Sequence, residues 1–544
     1  MRLATLTKWW SYAWQLHAET KDLLRFFSGK KKIKAGKLEK GQTKEEQPKK
    51  PPKLETRQKV GLILGPLLFL LILIFGNFPG MGYEAKAVLA STVWIATWWV
   101  TEAIPIPATS LLPIILFPIT KVTEVKDVTA DYGDTTIFLF MGGFIVALAM
   151  EKWNLHKRIA LTIISWIGTK ADRIVLGTMA ATGFLSMWIS NTATAMMMVP
   201  IGLAIIYQFS AVLKDHPDVD TSQGNFPFGN SMMLGIAYAA SIGGLGTLIG
   251  TPPNAIFAAQ VKKLYNVEVS FATWMLIGVP IVIILLALTW LYLVKIAFPM
   301  KVKEIPGGKE VIQKEIQTLG KTSSEEKMVM VVFTLTALAW ITRDFLLDLW
   351  IPGIDDTMIA IVAAVVLFLL PAKSQPGKMI MDWDTAKKLP WGILLLFGGG
   401  LAIAGGFKDS GLTKWIGEQL TGLQGVSFIL VLTLVVTLVI FLTEITSNTA
   451  TATMMFPIMA AFASAIAVHP YGLMVGAGLA ASCAFMLPVA TPPNAVVFGS
   501  GYVRIGTMAK AGFWLNIISI IVIVLAIYFI MPPVWGIDLL KPMK

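Results

Sequence analysis

An all-α polytopic membrane protein is what this sequence predicts: two inverted repeats, about eleven transmembrane helices plus two re-entrant hairpins, and broken helices at two Thr-Pro-Pro-Asn motifs. Three observations carry that expectation, namely scarce charge, apolar runs of spanning length, and a set of motifs that occurs twice. Of the 544 residues 55% are apolar and 14% charged, with a mean hydropathy of +0.68, whereas a soluble domain carries roughly 25% charged residues. Apolar stretches of roughly 20 residues recur between positions 60 and 533, each able to cross a hydrocarbon core of about 30 Å as a helix. A single soluble core is excluded.

The net charge of +12 resembles a nucleic-acid signal until it is located. Residues 1–60 hold 16 Lys/Arg and 6 Asp/Glu, so 16 − 6 = +10 lies there and +2 remains for the rest. The basic run Lys30, Lys31, Lys32, Lys34, Lys37, Lys40 precedes the first span, which favours a cytoplasmic N-terminus. The stretch with Trp9, Trp10, Trp14, Phe26 and Phe27 suits an interfacial amphipathic helix, the plainer alternative being a flexible linker and topology signal. No nucleic-acid partner follows. No cleavable signal pattern is present, because charge interrupts the apolar residues. The lone Cys483 cannot form an intrachain disulfide.

The segments expected in order are a basic cytoplasmic tail (1–59), a first transmembrane helix and loop (60–84), a first repeat (85–298), a cytoplasmic linker (299–327), a second repeat (328–535) and a C-terminal tail (536–544). Within the first repeat, spans are expected at 85–103, 104–119 and 137–150, with a polar segment at 120–136 and a basic amphipathic segment at 151–173. Two short apolar arms at 174–210 flank Ser190-Asn191-Thr192 as a re-entrant hairpin. A span at 231–262 broken at Thr251-Pro252-Pro253-Asn254 follows, then one at 272–298. The second half repeats the plan with spans at 328–350, 357–371, 391–406 and 509–533, a hairpin around Ser447-Asn448-Thr449, and a span broken at Thr491-Pro492-Pro493-Asn494. Counting crossings from a cytoplasmic N-terminus leaves the C-terminus outside.

The duplication is explicit. SNTATAMMMVPI at 190–201 matches SNTATATMMFPI at 447–458 in ten of twelve positions, TPPNA recurs at 251–255 and 491–495, and LFMGG at 139–143 pairs with LLFGG at 395–399. The motifs keep their order in both halves, so the chain contains an internal repeat. The span before the first hairpin runs outside to inside and its partner at 391–406 the other way, which makes the repeats inverted. Inverted repeats with helices interrupted at matching positions point to a secondary transporter whose site lies at the repeat interface near the midplane.

Such breaks have chemistry. A helix interrupted in hydrocarbon leaves free N–H groups at one new end and free C=O groups at the other, tolerated only where protein, water or ligand satisfies them. The N-terminal ends attract carboxylate oxygens, and carbonyl ends hold cations. Ser190, Asn191, Thr192, Ser447, Asn448 and Thr449, with Thr251, Pro252, Thr491 and Pro492 at the breaks, are therefore the substrate-binding candidates. No Arg or Lys lies within 174–207 or 426–468, so dipole ends, hydroxyls, amides or a bound cation must balance an anion. Taken singly, Pro-Pro could be a simple kink and small residues could serve close helix packing; their paired recurrence favours a site. Glu444 is an ionisable residue beside the second motif, with a functional and a structural reading both open. Gly142, Gly143 and Gly398 to Gly400 fit helix packing better than phosphate binding.

These paired motifs, with Thr101-Glu102-Ala103-Ile104-Pro105, resemble the divalent-anion:sodium symporter family over roughly residues 60–535. The resemblance implies carriage of succinate, malate, citrate or, in some branches, sulfate. It also implies a homodimer with a fixed scaffold and a transport domain moving by an elevator-type motion. It implies one sodium site from Ser186, Ser190 and Asn191 with backbone near Gly250, and another from Thr443, Ser447 and Asn448 with backbone near Ala490. No organic cofactor is implied. The same motifs serve members that exchange one dicarboxylate for another without sodium, so coupling stays open at this point. A C4/C5 dicarboxylate is favoured because Asn and Thr pairs in both halves suit a ligand with a carboxylate at each end; citrate and sulfate carriers are the alternatives within the family. An anion channel is the alternative class, since it would share the polar midplane. An enzyme is disfavoured, because His17, His156, His216 and His469 all fall outside the repeated motifs. The expected location is a bacterial cell membrane.

Overall fold

The computed structural model describes residues 55–168, 170–213, 220–300, 308–419, 422 and 425–543. The expectations for the basic tail up to residue 54 lie outside the described residues. Among those described, regular structure is helical throughout, apart from one isolated bridge between Pro371 and Met379. Among the described residues, seven helices are long and apolar enough to cross a membrane: Thr56–Phe75, Val125–Lys152, Asn191–Val212, Phe271–Ala297, Ser324–Trp350, Trp391–Asp409 and Ile505–Trp535. Large apolar side chains remain exposed along several of them, for example Ile63 at 71% and Ile74 at 64%. In a chain of this composition such a face meets lipid.

Local chemistry explains most boundaries. Glu55 and Gln58 form a capping box at the start of Thr56–Phe75, and Trp98 of the next helix, Tyr83–Thr101, donates to Gly61 O at 2.9 Å. The span expected at 104–119 is instead two short helices, Ile106–Thr109 and Leu112–Ile119. Pro113 offers no N–H to Thr109 and its ring crowds that carbonyl, which weakens a continuous helix at the junction where the chain breaks. The polar segment at 120–136 is also partly helical, with Val125–Ala130 followed by a tight turn at Asp131–Gly133. Asp134 then caps Thr135–Lys152 by accepting from Thr136 N at 2.8 Å. The basic segment after it forms the amphipathic helix Leu155–Ile167. Three long helices end in π-helical turns, Tyr292–Ala297, Arg343–Leu347 and Ala526–Ile530.

Both Ser-Asn-Thr motifs sit where one helix stops and another starts: Ala171–Ser186 gives way to Asn191–Val212, and Phe428–Thr443 to Asn448–Ala465. The sequence reading makes every arm too short to span, yet Asn191–Val212 has 22 residues and is long enough by itself. Its apolar run simply continues past the motif, and Pro200 does not stop it. Both Thr-Pro-Pro-Asn motifs restart a broken helix. Pro227–Gly243 passes through a 3-10 turn at Gly244–Gly246 and restarts as Pro252–Tyr265, while Pro470–Ala481 restarts as Pro492–Gly499. Proline at a first helical position needs no N–H partner and has its φ already set, which is why the restart falls there.

The helix after each break presses onto it. A Cβ on Gly278 would lie 2.6 Å from Leu245 O, and one on Gly512 would lie 2.2 Å from Phe485 O, so only glycine allows that approach. Two apolar clusters hold the fold. The larger includes Phe140, Ile205, Tyr238, Phe257, Leu473 and Leu515, and the smaller joins Phe69, Val88, Phe117, Phe407 and Met454 from the first, second and later helices.

Candidate functional site

Four helices begin around one cavity of about 840 Å³: Asn191–Val212, Pro252–Tyr265, Asn448–Ala465 and Pro492–Gly499. All ten substrate-binding candidates line it: Ser190, Asn191, Thr192, Thr251, Pro252, Ser447, Asn448, Thr449, Thr491 and Pro492. Gly250 and Ala490 line it too, whereas Ser186 and Thr443, fully buried, stand one layer behind the asparagines. The sequence separates these residues by up to 302 positions, from Ser190 to Pro492; the two breaks and two helix junctions bring them together.

The helix starts differ in how their first-turn N–H groups are met. Ser190 Oγ accepts from Ala193 N at 3.2 Å, and Thr491 Oγ1 accepts from Asn494 N at 3.3 Å. Thr251 and Ser447 make no side-chain cap bond, so the first-turn amides of Pro252–Tyr265 and Asn448–Ala465 have no cap from these side chains. The Asn448–Ala465 start presents amide donors to the cavity; at Pro252–Tyr265 the first two positions are prolines without an N–H and Asn254 N donates to Thr251 O at 3.2 Å, so that start offers the positive end of its dipole alone.

Behind the helix starts, one polar arrangement occurs twice. Ser186 Oγ contacts the Asn191 side chain at 2.5 Å and donates to Ala240 O at 2.6 Å. In the other half Thr443 Oγ1 donates to Asn448 Oδ1 at 2.7 Å and contacts Ala481 O at 2.8 Å. Asn254 Nδ2 ties the first break through Gly244 O at 3.0 Å and Thr247 O at 2.7 Å. Asn494 Nδ2 ties the second through Ala484 O at 3.1 Å and Leu487 O at 3.0 Å. The asparagine of each Thr-Pro-Pro-Asn motif is therefore the clasp that holds its own break in shape, a role the motif spacing does not reveal.

Asn191 adds a further detail. The inward atom of its side-chain amide lies 2.5 Å from Ser186 Oγ, 3.1 Å from Ala240 O and 3.3 Å from Gly250 O. With oxygen placed inward, Asn191 faces only acceptors; with the amide turned, Nδ2 donates to all three. A ring of neutral oxygens of this kind suits either an amide N–H or a small hard cation.

Glu444 breaks the symmetry between halves. Its carboxylate accepts from Phe485 N at 2.8 Å, Met486 N at 3.0 Å and Leu487 N at 3.2 Å, and from Asn516 Nδ2 at 2.8 Å. The matching position in the first half is Met187, whose carbonyl accepts from Thr247 Oγ1 at 2.5 Å. Of the two readings left open for Glu444, the structural one has direct support, because the side chain satisfies the amides freed by the second break.

Residues 57–536 match the family model described as the sodium:sulfate symporter transmembrane region. The chain belongs to that family. It is an integral membrane protein of the divalent-anion:sodium symporter class. Among curated family members, the sodium-dependent dicarboxylate transporter SdcS of Staphylococcus saprophyticus is 54% identical over 489 residues, covering 89% of this chain and 94% of its own. SdcS of Staphylococcus aureus strain MRSA252 is 52% identical over 499 residues, covering 91% and 95%. Among solved structures, the Alcanivorax borkumensis YdaH transporter aligns with a TM-score of 0.52 at 13% identity, over 83% of this chain and 98% of that one. Neisseria gonorrhoeae MtrF, of a class of antimetabolite efflux pumps, aligns with a TM-score of 0.51 at 12% identity, over 86% and 98%. At such identity these two speak for the fold alone.

Several cavity residues lie outside the sequence-derived set. Phe144, Ile249, Ile393, Ile445 and Val489 supply apolar wall, and Thr446 a further hydroxyl. Ile445 and Thr446 adjoin the second motif and could have been found by proximity. Glu55, Arg57 and Glu102 also line the cavity. Glu102 belongs to the Thr-Glu-Ala-Ile-Pro motif, but nothing in the sequence ties Arg57 to it.

Proposed function

We propose that this chain is a secondary active transporter of C4/C5 dicarboxylates such as succinate, malate, fumarate and 2-oxoglutarate, driven by sodium, and that it is not an enzyme. The observation that carries the reading is the convergence of four helix starts on one cavity. Each start turns the positive end of its helix dipole, at most roughly half a charge, toward the cavity, and together the four ends favour an anion there. The amides and hydroxyls of Ser190, Asn191, Thr192, Ser447, Asn448 and Thr449 then orient two carboxylates, one toward each half. A tetrahedral sulfate would engage one half well and leave the other's donors without a partner.

Sodium enters as cargo. The ring of Ser186, Asn191, Ala240 and Gly250 oxygens supports one cation position, and Thr443, Asn448 and backbone near Ala490 a second. The names of the relatives at 52–54% identity support both sodium and dicarboxylate. Binding of cation beside each helix start would raise the affinity for the anion, which is how the two fluxes become linked.

Alternating access is proposed to follow an elevator-type motion, in which the site-bearing helices move against the remainder within a homodimer embedded in the bilayer. The N-terminus is assigned to the cytoplasm and the C-terminus to the outside of a bacterial cell membrane, on the strength of the basic tail.

Uptake of labelled succinate into proteoliposomes tests the reading. A sodium gradient should drive accumulation into empty vesicles, and excess malate should compete. Uptake that ignores sodium and requires dicarboxylate inside would replace symport by exchange. Sulfate uptake insensitive to succinate would overturn the dicarboxylate assignment.

A further inference from the structure

The Thr-Glu-Ala-Ile-Pro motif reaches the cavity through Glu102. Glu102 closes the Tyr83–Thr101 helix in a left-handed backbone conformation, φ 48° and ψ 41°, which costs a non-glycine residue strain and is held only where the surroundings demand it. Its carbonyl accepts from Gln58 Nε2 at 3.1 Å, and its carboxylate meets Arg57 Nη2 at 3.3 Å. Arg57 Nε also pairs with Glu55 Oε2 at 2.9 Å. Gln58 is held in turn by the capping box with Glu55. One guanidinium is thus shared by two carboxylates at the start of the first helix.

All three side chains line the same cavity as the Ser-Asn-Thr residues, and all three are solvent-exposed, Arg57 at 49%, Glu55 at 65% and Glu102 at 44%. They form its wet mouth, on the side of the membrane where the first helix begins. Among the described residues lining the cavity, Arg57 is the only basic one; every other lining residue apart from the two glutamates is neutral. A dianion passing between solvent and the helix starts therefore meets a single fixed positive charge.

Resting on the transport reading above, we infer that Arg57 is a hand-over contact for the substrate carboxylate at the cavity mouth, and that Glu102 is its built-in competitor. Exposed ion pairs of this kind are weak and exchange readily, so a carboxylate of the substrate can displace Glu102 from the guanidinium. When the substrate moves on, Glu102 returns. The competitor keeps the contact transient: an Arg without it would hold a dianion and slow its departure, and a mouth without the Arg would offer only the negative charges of the two glutamates. The strained backbone of Glu102 keeps its carboxylate within reach of Arg57.

The two substitutions should act in opposite directions, which a merely structural role would not produce. The experiment measures half-saturating succinate on each face of proteoliposomes separately, for the unaltered protein, Arg57→Gln and Glu102→Gln. On the face where the first helix begins, Arg57→Gln should raise the half-saturating concentration about five- to tenfold and Glu102→Gln should lower it about threefold, both effects shrinking as salt is raised. The opposite face should be unchanged. Equal values for all three proteins, a rise in both variants, or the same change on both faces would overturn the inference. Absence of succinate transport by the unaltered protein would overturn the functional reading instead.

Discussion

Asn191 and Asn448 hold the same place in their two helices: first residue after the break, side chain turned back onto a buried hydroxyl, Ser186 or Thr443. Replacing either by Ala removes that contact and leaves a buried hydroxyl with one partner fewer, at a cost of about 1–3 kcal/mol. Asn191→Ala and Asn448→Ala should each cut succinate uptake at least about tenfold while membrane insertion stays intact, a fall consistent with losing about 1.4 kcal/mol or more of binding. Normal uptake by both would remove them from the site. Glu444 poses a different test. Glu444→Gln keeps the shape but exchanges a carboxylate that accepts from three backbone amides for a neutral group with one acceptor. Bonds to a charged partner contribute about 1.5–3 kcal/mol each, so the variant should melt several degrees lower in detergent. An unchanged melting temperature would show that the second break does not depend on the charge. The roles of Asn254 and Asn494 were not legible from spacing, because a clasp is defined by which carbonyls the chain folds back to offer, and these lie seven to ten residues upstream.

At the scale of elements, the decisive feature is the interrupted helix. Thr-Pro-Pro-Asn announces the restart, since a pair of prolines suits a first helical turn far better than a helix interior. How the interruption is braced was hidden. Gly278 and Gly512 are far from the motifs in sequence, and only the fold shows the following helix touching Leu245 and Phe485 backbone. Gly512→Ala should therefore depress expression of folded protein or lower its thermal stability markedly, the added carbon standing 2.2 Å from Phe485 O. Gly506→Ala, on the same helix with nothing within 4 Å of the added carbon, should be neutral and serves as the control. Equal behaviour of the two would mean the helix shifts freely. The division of 104–119 into two short helices belongs to this scale as well: apolar content alone reads as one span, and Pro113 decides otherwise.

At the scale of the whole molecule, charge is concentrated at one end of the sequence. Most of the net charge lies in the first 60 residues, while the cavity is lined by neutral groups apart from Glu55, Arg57 and Glu102. Deleting residues 1–50 should leave the half-saturating succinate concentration within about twofold, because the residues that line the cavity all lie at positions 55–493. A large rise would give the tail a part in binding. The outer helices reach the site-bearing ones through a few polar ties, among them Lys263 to Asp131 at 2.6 Å and Arg343 to Glu268 at 2.7 Å. Any motion of the site against the remainder has to break and remake such ties.

By itself the sequence determined the membrane environment, the duplication and the neutral polar residues at four helix starts. Those properties are local: apolar length, motif identity and the conformational demands of proline are written in consecutive residues. Only the tertiary structure decided that the four starts share one cavity, that Asn254 and Asn494 clasp the breaks, that Glu444 answers amides 41 to 43 residues away, and that Arg57 stands at the mouth. Each of these depends on which distant backbone comes within hydrogen-bonding range, and packing of the whole chain sets that distance.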